Sequence, residues 1–486
     1  MPPALEFDPA DPRAALSQLP QAQAVFALYF AGAPTDRSLF VGRGADARAE
    51  PYIGRTPDLR ARLERLLQPS AKHPRRLHLA GLVRRIEWRL TGSEFESLLA
   101  QFSLLEEVYG AKTLERMHLR APAFVRFLGG NPYPRITVTN RPSLREADWA
   151  YGPFPSRAAA ERFSEEALKL FLLRRCTFEL NPDPSYPGCV YSEMKMCLAP
   201  CFKGCTDERY AEEAEAVESF LATRGGSRLV TLRTARDQAS VELAFESAAA
   251  LHAQVQRVEA VRALAAEIVR PLSKLRAVIL QASAQPGEVA VFLFENGRLR
   301  GPAAFSTLGM RIQNEQSGST SLFLQPVAVE PVPEEIRNRQ RGAENPNPET
   351  LSAEHEVSGV EPSALDRKLQ VEHEVSGHDF SRAESLPLNE GALAPEPPAT
   401  PAKIPRGLLE SRLEAALAEL AEPSGAPSAT IRQGHLALLK RWYYRPEAKR
   451  NGEIFFPDAE DRWPIKSILR GIGRVAAKAV ESVAGK

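Results

Sequence analysis

The sequence predicts an α+β multidomain chain, and three observations predict it. At 486 residues, with 40 Pro and 30 Gly, it has the length of about three ordinary domains. Its apolar residues switch repeatedly between the two-residue period of strands and the helical period of 3.6. A long Pro/Glu/Ser-rich stretch, residues 328–405, with Phe380 as its sole aromatic, then separates two ordered parts.

From the N-terminus, Leu19 to Leu28 and Ser38 to Gly42 read as short apolar strands, with further apolar positions at Tyr52 and Ile53. Asp58 is placed to cap a helix carrying Leu59, Leu63, Leu66 and Leu67 at helical spacing. Ile86 to Leu90 alternates like a half-buried strand. Ser93, with Glu96 three residues on, opens a second helix through Phe95, Leu98, Leu99, Phe102 and Leu105. Residues 130–205, rich in Gly, Pro and Cys, are expected to be irregular. Helical periodicity resumes at Asp207 to Arg224 and at Leu229 to Ala266. AVAVFLFEN, Asn296-Gly297 and RLRGPAAF form a hairpin signal. The 328–405 stretch repeats EHEVSG, with His355 and His373, and is expected to be a disordered acidic linker. A helix from Leu408 to Ala421 and an aromatic, basic region close the chain.

The overall net charge of +1 is uninformative, but its distribution is not. Residues 41–90 carry 12 Lys+Arg against 5 Asp+Glu, residues 431–486 carry 12 against 6, and residues 330–400 carry 6 against 15. Two basic ends flanking an acidic tether suggest anion-binding modules. No run of eighteen apolar residues occurs, so no membrane-spanning helix is expected. The N-terminus lacks the basic start and apolar core of a secretory leader, and a cytoplasmic location is expected.

All five cysteines lie between 176 and 205, unlike a secreted disulfide scaffold. Cys176, Cys189, Cys197 and Cys201 are spaced C-x12-C-x7-C-x3-C, and four such thiolates can close around an iron–sulfur cluster or a zinc ion. Spacing leaves the two open. Cys205 is read as a spare thiol.

The run YGPFPSRAAAERFSEEALKLFLLRRC…YPGCVYSEMKMCLAPC, with Tyr151–Phe154, Arg174–Thr177, Cys189 and Cys197–Cys201, resembles the central part of the UvrC family of excision-repair nucleases. The resemblance implies a 4Fe–4S cluster on the four cysteines, with zinc as the alternative. LAFESAAALHAQV is similar to that family's UVR motif. It implies a helical hairpin binding a UvrB-like helicase subunit through Leu243, Phe245, Glu246, Ala248 and Ala249. The segments around Phe26 and YIGRTPDLRARL resemble a GIY-YIG nuclease domain.

Carried over position by position, the GIY-YIG resemblance implies a catalytic tyrosine at Tyr52 and an arginine at Arg62 for the developing phosphorane charge, with Arg55 as a further cation. Phe26 stands where the first motif tyrosine is expected, and the segment between Phe26 and Tyr52 is longer than usual. Gln101 falls where a glutamate would hold Mg²⁺ or Mn²⁺, and a neutral amide is a poor substitute for a hard anion. Glu96 and Glu106 face elsewhere on the helix, and Glu94 lies two turns back, so none replaces it. Metal-dependent DNA cleavage is therefore expected to be impaired, while DNA binding remains through Arg55, Arg60, Arg62, Arg65, Arg75, Arg76, Arg84 and Arg85.

The family's second, RNase H-like nuclease is expected to be missing. LRGIGRVAAKAV is similar to one helix–hairpin–helix element, with Gly471 and Gly473 turning backbone N–H groups toward phosphate, or else a glycine break between short helices. HLALLKRWYYRPEAKR suits either base stacking or a small core. The expected organisation is a GIY-YIG-like α/β domain at 18–115, a Cys-rich region at 116–225, a UVR hairpin at 226–266, a small β-containing domain at 267–327, the linker at 328–405 and a helical basic region at 406–486. The expected function is UvrC-like nucleotide excision repair, either as a degenerate structure-specific endonuclease or as a catalytically inactive adaptor for DNA and UvrB.

Overall fold

The computed structural model describes residues 3–30, 51–68, 79–308, 310, 405–422 and 425–484. Residues Ser38 to Gly42, Arg75, Arg76 and nearly all of the acidic linker, with both EHEVSG copies, lie outside the described residues.

The front of the chain is a four-stranded antiparallel sheet in the order β1-β4-β2-β3. Its strands are β1 (Ala4–Glu6), β2 (Ala24–Phe30), β3 (Tyr52–Thr56) and β4 (Val83–Leu90). Alternation along β2 sends Ala24, Phe26 and Leu28 to one face and Val25, Ala27 and Tyr29 to the other. The first face is covered by α1 (Pro12–Ser17) and α2 (Leu59–Leu67), through Leu16, Leu59, Leu63, Leu66 and Leu67. Asp58 Oδ1 accepts from the Ala61 N–H at 2.9 Å, so the expected cap forms. The second face is covered by α3 (Glu94–Tyr109) through Leu104, with Ala100 and Val108 beside it. Ser93 caps α3 by accepting from Glu96 N at 3.1 Å.

The opposite side of α3, Phe95, Leu98, Leu99 and Phe102, belongs to a second and larger core. After the short α4 (Thr113–Arg116), this core takes in the sheet β6-β5-β7-β8, built from β5 (Ala123–Phe127), β6 (Ile136–Thr139), β7 (Ala150–Phe154) and β8 (Arg270–Pro271). Packed with it are α5 (Arg157–Leu168), α7 (Asp207–Ala222), α8 (Gly226–Val241) and α9 (Phe245–Ala263); the short α6 (Val190–Glu193) sits in the intervening loop. The expectation that 130–205 is irregular is thus corrected. The stretch contributes β6 and β7, its Ser156-capped amphipathic run RAAAERFSEEAL folds as α5, and the cysteine-bearing part is mostly loop around the short α6.

The third sheet, β11-β10-β9-β12, joins β9 (Ala277–Ala282), β10 (Glu288–Glu295) and β11 (Arg298–Ser306) to β12 (Glu453–Phe455). The hairpin turns at Asn296 (φ 52°) and Gly297 (φ 75°), as the Asn-Gly pair requires. One face of this sheet meets α10 (Arg406–Ala421) and α12 (Ile465–Ala484), and the other faces Phe95 and Trp442 of α11 (Ala429–Tyr443). The separation of 267–327 from 406–486 is therefore corrected: the C-terminal region pairs β12 with β9 in register Ile454↔Ile279. Sheet pairing across such a sequence gap leaves no local signature.

One further correction and one choice between two readings concern this region. α12 runs unbroken through Gly471 and Gly473, so no glycine turn presents N–H groups to phosphate. Gly471 is small because a Cβ there would meet the Phe455 ring at 2.5 Å. The aromatic–basic run at 435–450 is core-forming rather than a stacking platform: His435, Leu436 and Trp442 are buried, and Tyr444 Oη donates to Pro153 O at 2.9 Å.

Candidate functional site

The nuclease-like positions divide between the two faces of the front sheet. Phe26 pairs with Gly54 and Leu28 with Tyr52, which places the Phe26 and Tyr52 rings 6.1 Å apart on the α2 face. A Cβ at Gly54 would stand 2.6 Å from the Phe26 ring, so that glycine allows the close approach. Arg62, one turn into α2, donates from Nη2 to Tyr52 Oη at 3.5 Å, a loose contact that nevertheless brings these two residues together.

Arg55, one strand position on, faces α3. Its Nη1 lies 3.8 Å from Glu94 Oε1, and Arg445 grips the same carboxylate with both guanidinium nitrogens at 2.9 Å. The Arg445 hydrogen bond holds the Glu94 carboxyl below the usual carboxylate range. Glu94 is thus committed to two arginines instead of offering itself to a metal. Arg445 lies 351 residues from Glu94 in sequence, so no local pattern announced this pair. Gln101 is half-buried on α3.

The expected phosphate-binding arginines are partly consumed by structure. Arg60 donates from Nε to Leu19 O at 2.7 Å and from Nη2 to Ser17 O at 2.8 Å, tying α2 to the end of α1. Arg85 pairs with the buried Glu87, which also accepts from Tyr29 Oη at 2.9 Å. Arg65 donates from Nε to Ala61 O of its own helix, at an exposed position.

The cysteine loop runs between α5 and α7. Gly188, Lys195, Ala199 and Lys203 all take positive φ, so the chain winds tightly past Cys189, Cys197 and Cys201. Sulfur-directed donors are in place: the Ala199 N–H reaches Cys197 Sγ at 3.3 Å, and Arg174 Nη1 reaches Cys176 Sγ at 3.6 Å. Arg174 is 1% exposed and also donates to Tyr133 O and Phe178 O, each at 2.9 Å. Tyr210 Oη accepts from Arg174 N and donates to Pro134 O, which fixes the strand entering the loop.

Burial pushes the Cys197 thiol up to about 11, with the thiolate charges of Cys176, Cys201 and Cys189 adding to it. Burial and Cys189 likewise raise Cys201. Four such neighbours cannot all ionise unless a positively charged group joins them. The donor set, four thiols with N–H groups already aimed at sulfur, fits a thiolate-bound group. Among the described residues, however, no three His, Cys, Asp or Glu side chains converge tightly enough to hold a single metal ion. Cys205 is half-buried beside Asp207, and burial raises its thiol as well.

α8 and α9 form an antiparallel hairpin whose connection carries Leu243 at φ 60°. At its tip Leu243 is 70% and Phe245 68% exposed, with Val241 also outward. Glu246 and Ala249 are exposed and Ala248 half-buried. That apolar tip is left in water, while Val255 and Val258 further along α9 are buried in the larger core.

Part of the chain, with the cysteine loop inside it, is similar to known proteins. Residues 125–220, from β5 into α7, match the model of the UvrC/Cho excinuclease middle domain. A UvrABC system protein C from Alcanivorax borkumensis is 28% identical over 211 residues, covering 43% of this chain and 34% of the relative. That from Pseudomonas aeruginosa is 28% identical over 216 residues, covering 44% and 35%. The chain thus matches about a third of the length of these curated relatives. No solved structure matches.

Proposed function

We propose that the chain, whose middle region is similar to the UvrC family, works in nucleotide excision repair as a DNA-binding protein whose own metal-dependent cutting is impaired. The observation that carries this reading is the match over residues 125–220, which contains all four spaced cysteines and the buried Arg174 that addresses them.

A 4Fe–4S cluster held by Cys176, Cys189, Cys197 and Cys201 is the cofactor the reading implies. Its support is the donor set: four thiols on one loop, with the Ala199 N–H 3.3 Å from Cys197 Sγ and Arg174 Nη1 3.6 Å from Cys176 Sγ. Such a group supplies charge that lets the thiols ionise, and it pins the loop between α5 and α7. Arg174 would hold the Cys176 sulfur by a charge-assisted contact. The exposed Leu243 and Phe245 support a UvrB-like partner docking at the hairpin tip, and a cytoplasmic site of action fits such partners.

In the front domain, Arg62 beside Tyr52 retains the pair that would steady a phosphorane and orient water. Phe26 has no hydroxyl to relay a proton, Gln101 offers no carboxylate, and Glu94 is held by Arg55 and Arg445. The same observation favours the adaptor reading, in which the chain occupies DNA or its partner without cutting.

The deciding experiment is nicking of a damaged duplex with Mg²⁺ or Mn²⁺ by the wild type, Arg62→Ala and Gln101→Glu. Little cutting by the wild type and a gain in Gln101→Glu is expected. Efficient cutting by the wild type that Arg62→Ala abolishes overturns the impairment.

A further inference from the structure

Away from the front sheet and the cysteine loop, four arginines from separate stretches of chain stand in the neighbourhood of Glu267 and Tyr443. Arg224 occupies the turn between α7 and α8 at φ 53°, Arg262 is in the last turn of α9, Arg270 is on β8, and Arg450 follows α11. Glu267 acts electrostatically on Arg224 and Arg270, Arg262 acts on Arg224, and Arg450 acts on Tyr443. Glu267 Oε1 lies 3.6 Å from Arg270 Nη2, and the Glu267 backbone oxygen accepts from Arg270 Nε at 3.3 Å. The Arg450 guanidinium stands 5.4 Å over the Tyr443 ring and donates to Tyr443 O at 3.2 Å. The phenol of Tyr443 accepts from the Ile268 backbone, which joins the Arg450 side of the group to the Glu267 side.

This arrangement is electrostatically incomplete. Arg224 and Arg262 have no carboxylate within ion-pair distance among the described residues, and Arg224 Nε is buried without a hydrogen-bond partner. Burial lowers both Arg224 and Arg270, and the two oppose one another's charge. Bringing guanidiniums together beside one mostly exposed carboxylate costs free energy that, among the described residues, no second ion pair at Arg224 or Arg262 offsets. Guanidinium forks match phosphate oxygens in geometry as well as charge.

We propose that Arg224, Arg262, Arg270 and Arg450 form a phosphate-binding surface for a nucleic-acid backbone, apart from the front domain. A free phosphate occupies one or two guanidiniums, whereas four drawn from separate elements suit successive phosphates along a strand. The inference rests on the DNA-binding reading and relocates part of that binding to the middle and C-terminal regions.

The test is fluorescence anisotropy of the full chain on a labelled duplex across a salt series. It compares the wild type, Arg224→Gln/Arg262→Gln and Arg262→Glu. Arg157→Gln, which gives up only an exposed pair with Glu161, is the control. Each phosphate that a variant no longer neutralises takes about 0.9 off the slope of log K against log salt, so the double variant should be shallower by roughly two. Arg262→Glu, an exposed change that leaves folding intact, should also weaken binding, and Arg157→Gln should match the wild type. Wild-type binding with an unchanged slope in both test variants overturns the inference and leaves the DNA reading standing. No wild-type binding overturns both. Inorganic phosphate that raises the melting midpoint of the wild type but not of the double variant, with duplex binding unchanged, reassigns the surface to a small phosphorylated ligand and overturns the nucleic-acid assignment.

Discussion

His435 makes the stability of this chain depend on pH in a way that one substitution isolates. It is 5% exposed on α11, its Nδ1 accepts from the Leu299 N–H of β11 at 2.9 Å, and its ring lies 5.2 Å from Phe102 of α3. One neutral imidazole thus ties three elements together. Burial, with Arg298 nearby, lowers its pKa from the ordinary 6.5 to about 3. The sign follows from that depression. Between 6.5 and about 3 the unfolded chain binds a proton that the folded chain refuses, so stability is complete above 6.5 and falls with acidification across that window. Each pH unit inside it costs about 1.36 kcal/mol, so at pH 5 the loss from this residue is about 2 kcal/mol. The informative substitution is His435→Asn, whose amide oxygen takes the place of Nδ1 and can still accept from Leu299 N but does not titrate. Urea midpoints for both proteins from pH 7.5 to 5 should show a gap that changes steadily in the variant's favour as pH falls, on top of a constant packing offset. Parallel pH curves for the two proteins would sink this account, because carboxylates titrating elsewhere contribute equally to both.

Two further outcomes follow from packing and from the cysteine loop. Gly434 lets α11 lie against Phe102, and a Cβ there would run into that buried ring. Gly434→Ala should therefore destabilise by about 1–3 kcal/mol despite the better helix propensity of alanine, and Phe102→Leu in the same chain should recover part of the loss in a double-mutant cycle. Equal or greater stability in Gly434→Ala alone would contradict the contact. In the loop, Cys197→Ser should lower bound iron and visible absorbance in the purified chain together with its melting midpoint, whereas Cys205→Ser should leave iron content unchanged. Zinc in place of iron would count against the cluster, and equal loss from both variants against the four-cysteine assignment.

Much of the candidate site was legible because it is written locally. Asp58 and Ser93 cap their helices through groups three residues away, and Asn296-Gly297 turns its hairpin through backbone dihedrals alone. The four cysteines announce themselves by spacing. Arg174 did not, since its meaning comes from being buried beside Cys176 with backbone carbonyls from residues 133 and 178 around it. The glycines at 471 and 473 misled for a related reason. A Gly-x-Gly string permits a turn, but the buried face of α12 against β9 and β12 outweighs the roughly 1 kcal/mol each glycine costs a helix. The basic stripe at 55–85 likewise looked free in one dimension, while Arg60 and Arg85 are spent on carbonyls and on Glu87.

The amino-acid order on its own specified the periodic elements, their caps and turns, and the clustering of soft ligands, because each is set by atoms within a few residues. Only the folded arrangement could establish that β12 completes a sheet begun at residue 277, that Arg445 holds Glu94, and that Arg224 and Arg270 come together beside Glu267. Those outcomes depend on which surfaces come together when apolar faces are removed from water. Burial is a property of the assembled fold, and it turns an ordinary histidine or arginine into one with a defined role.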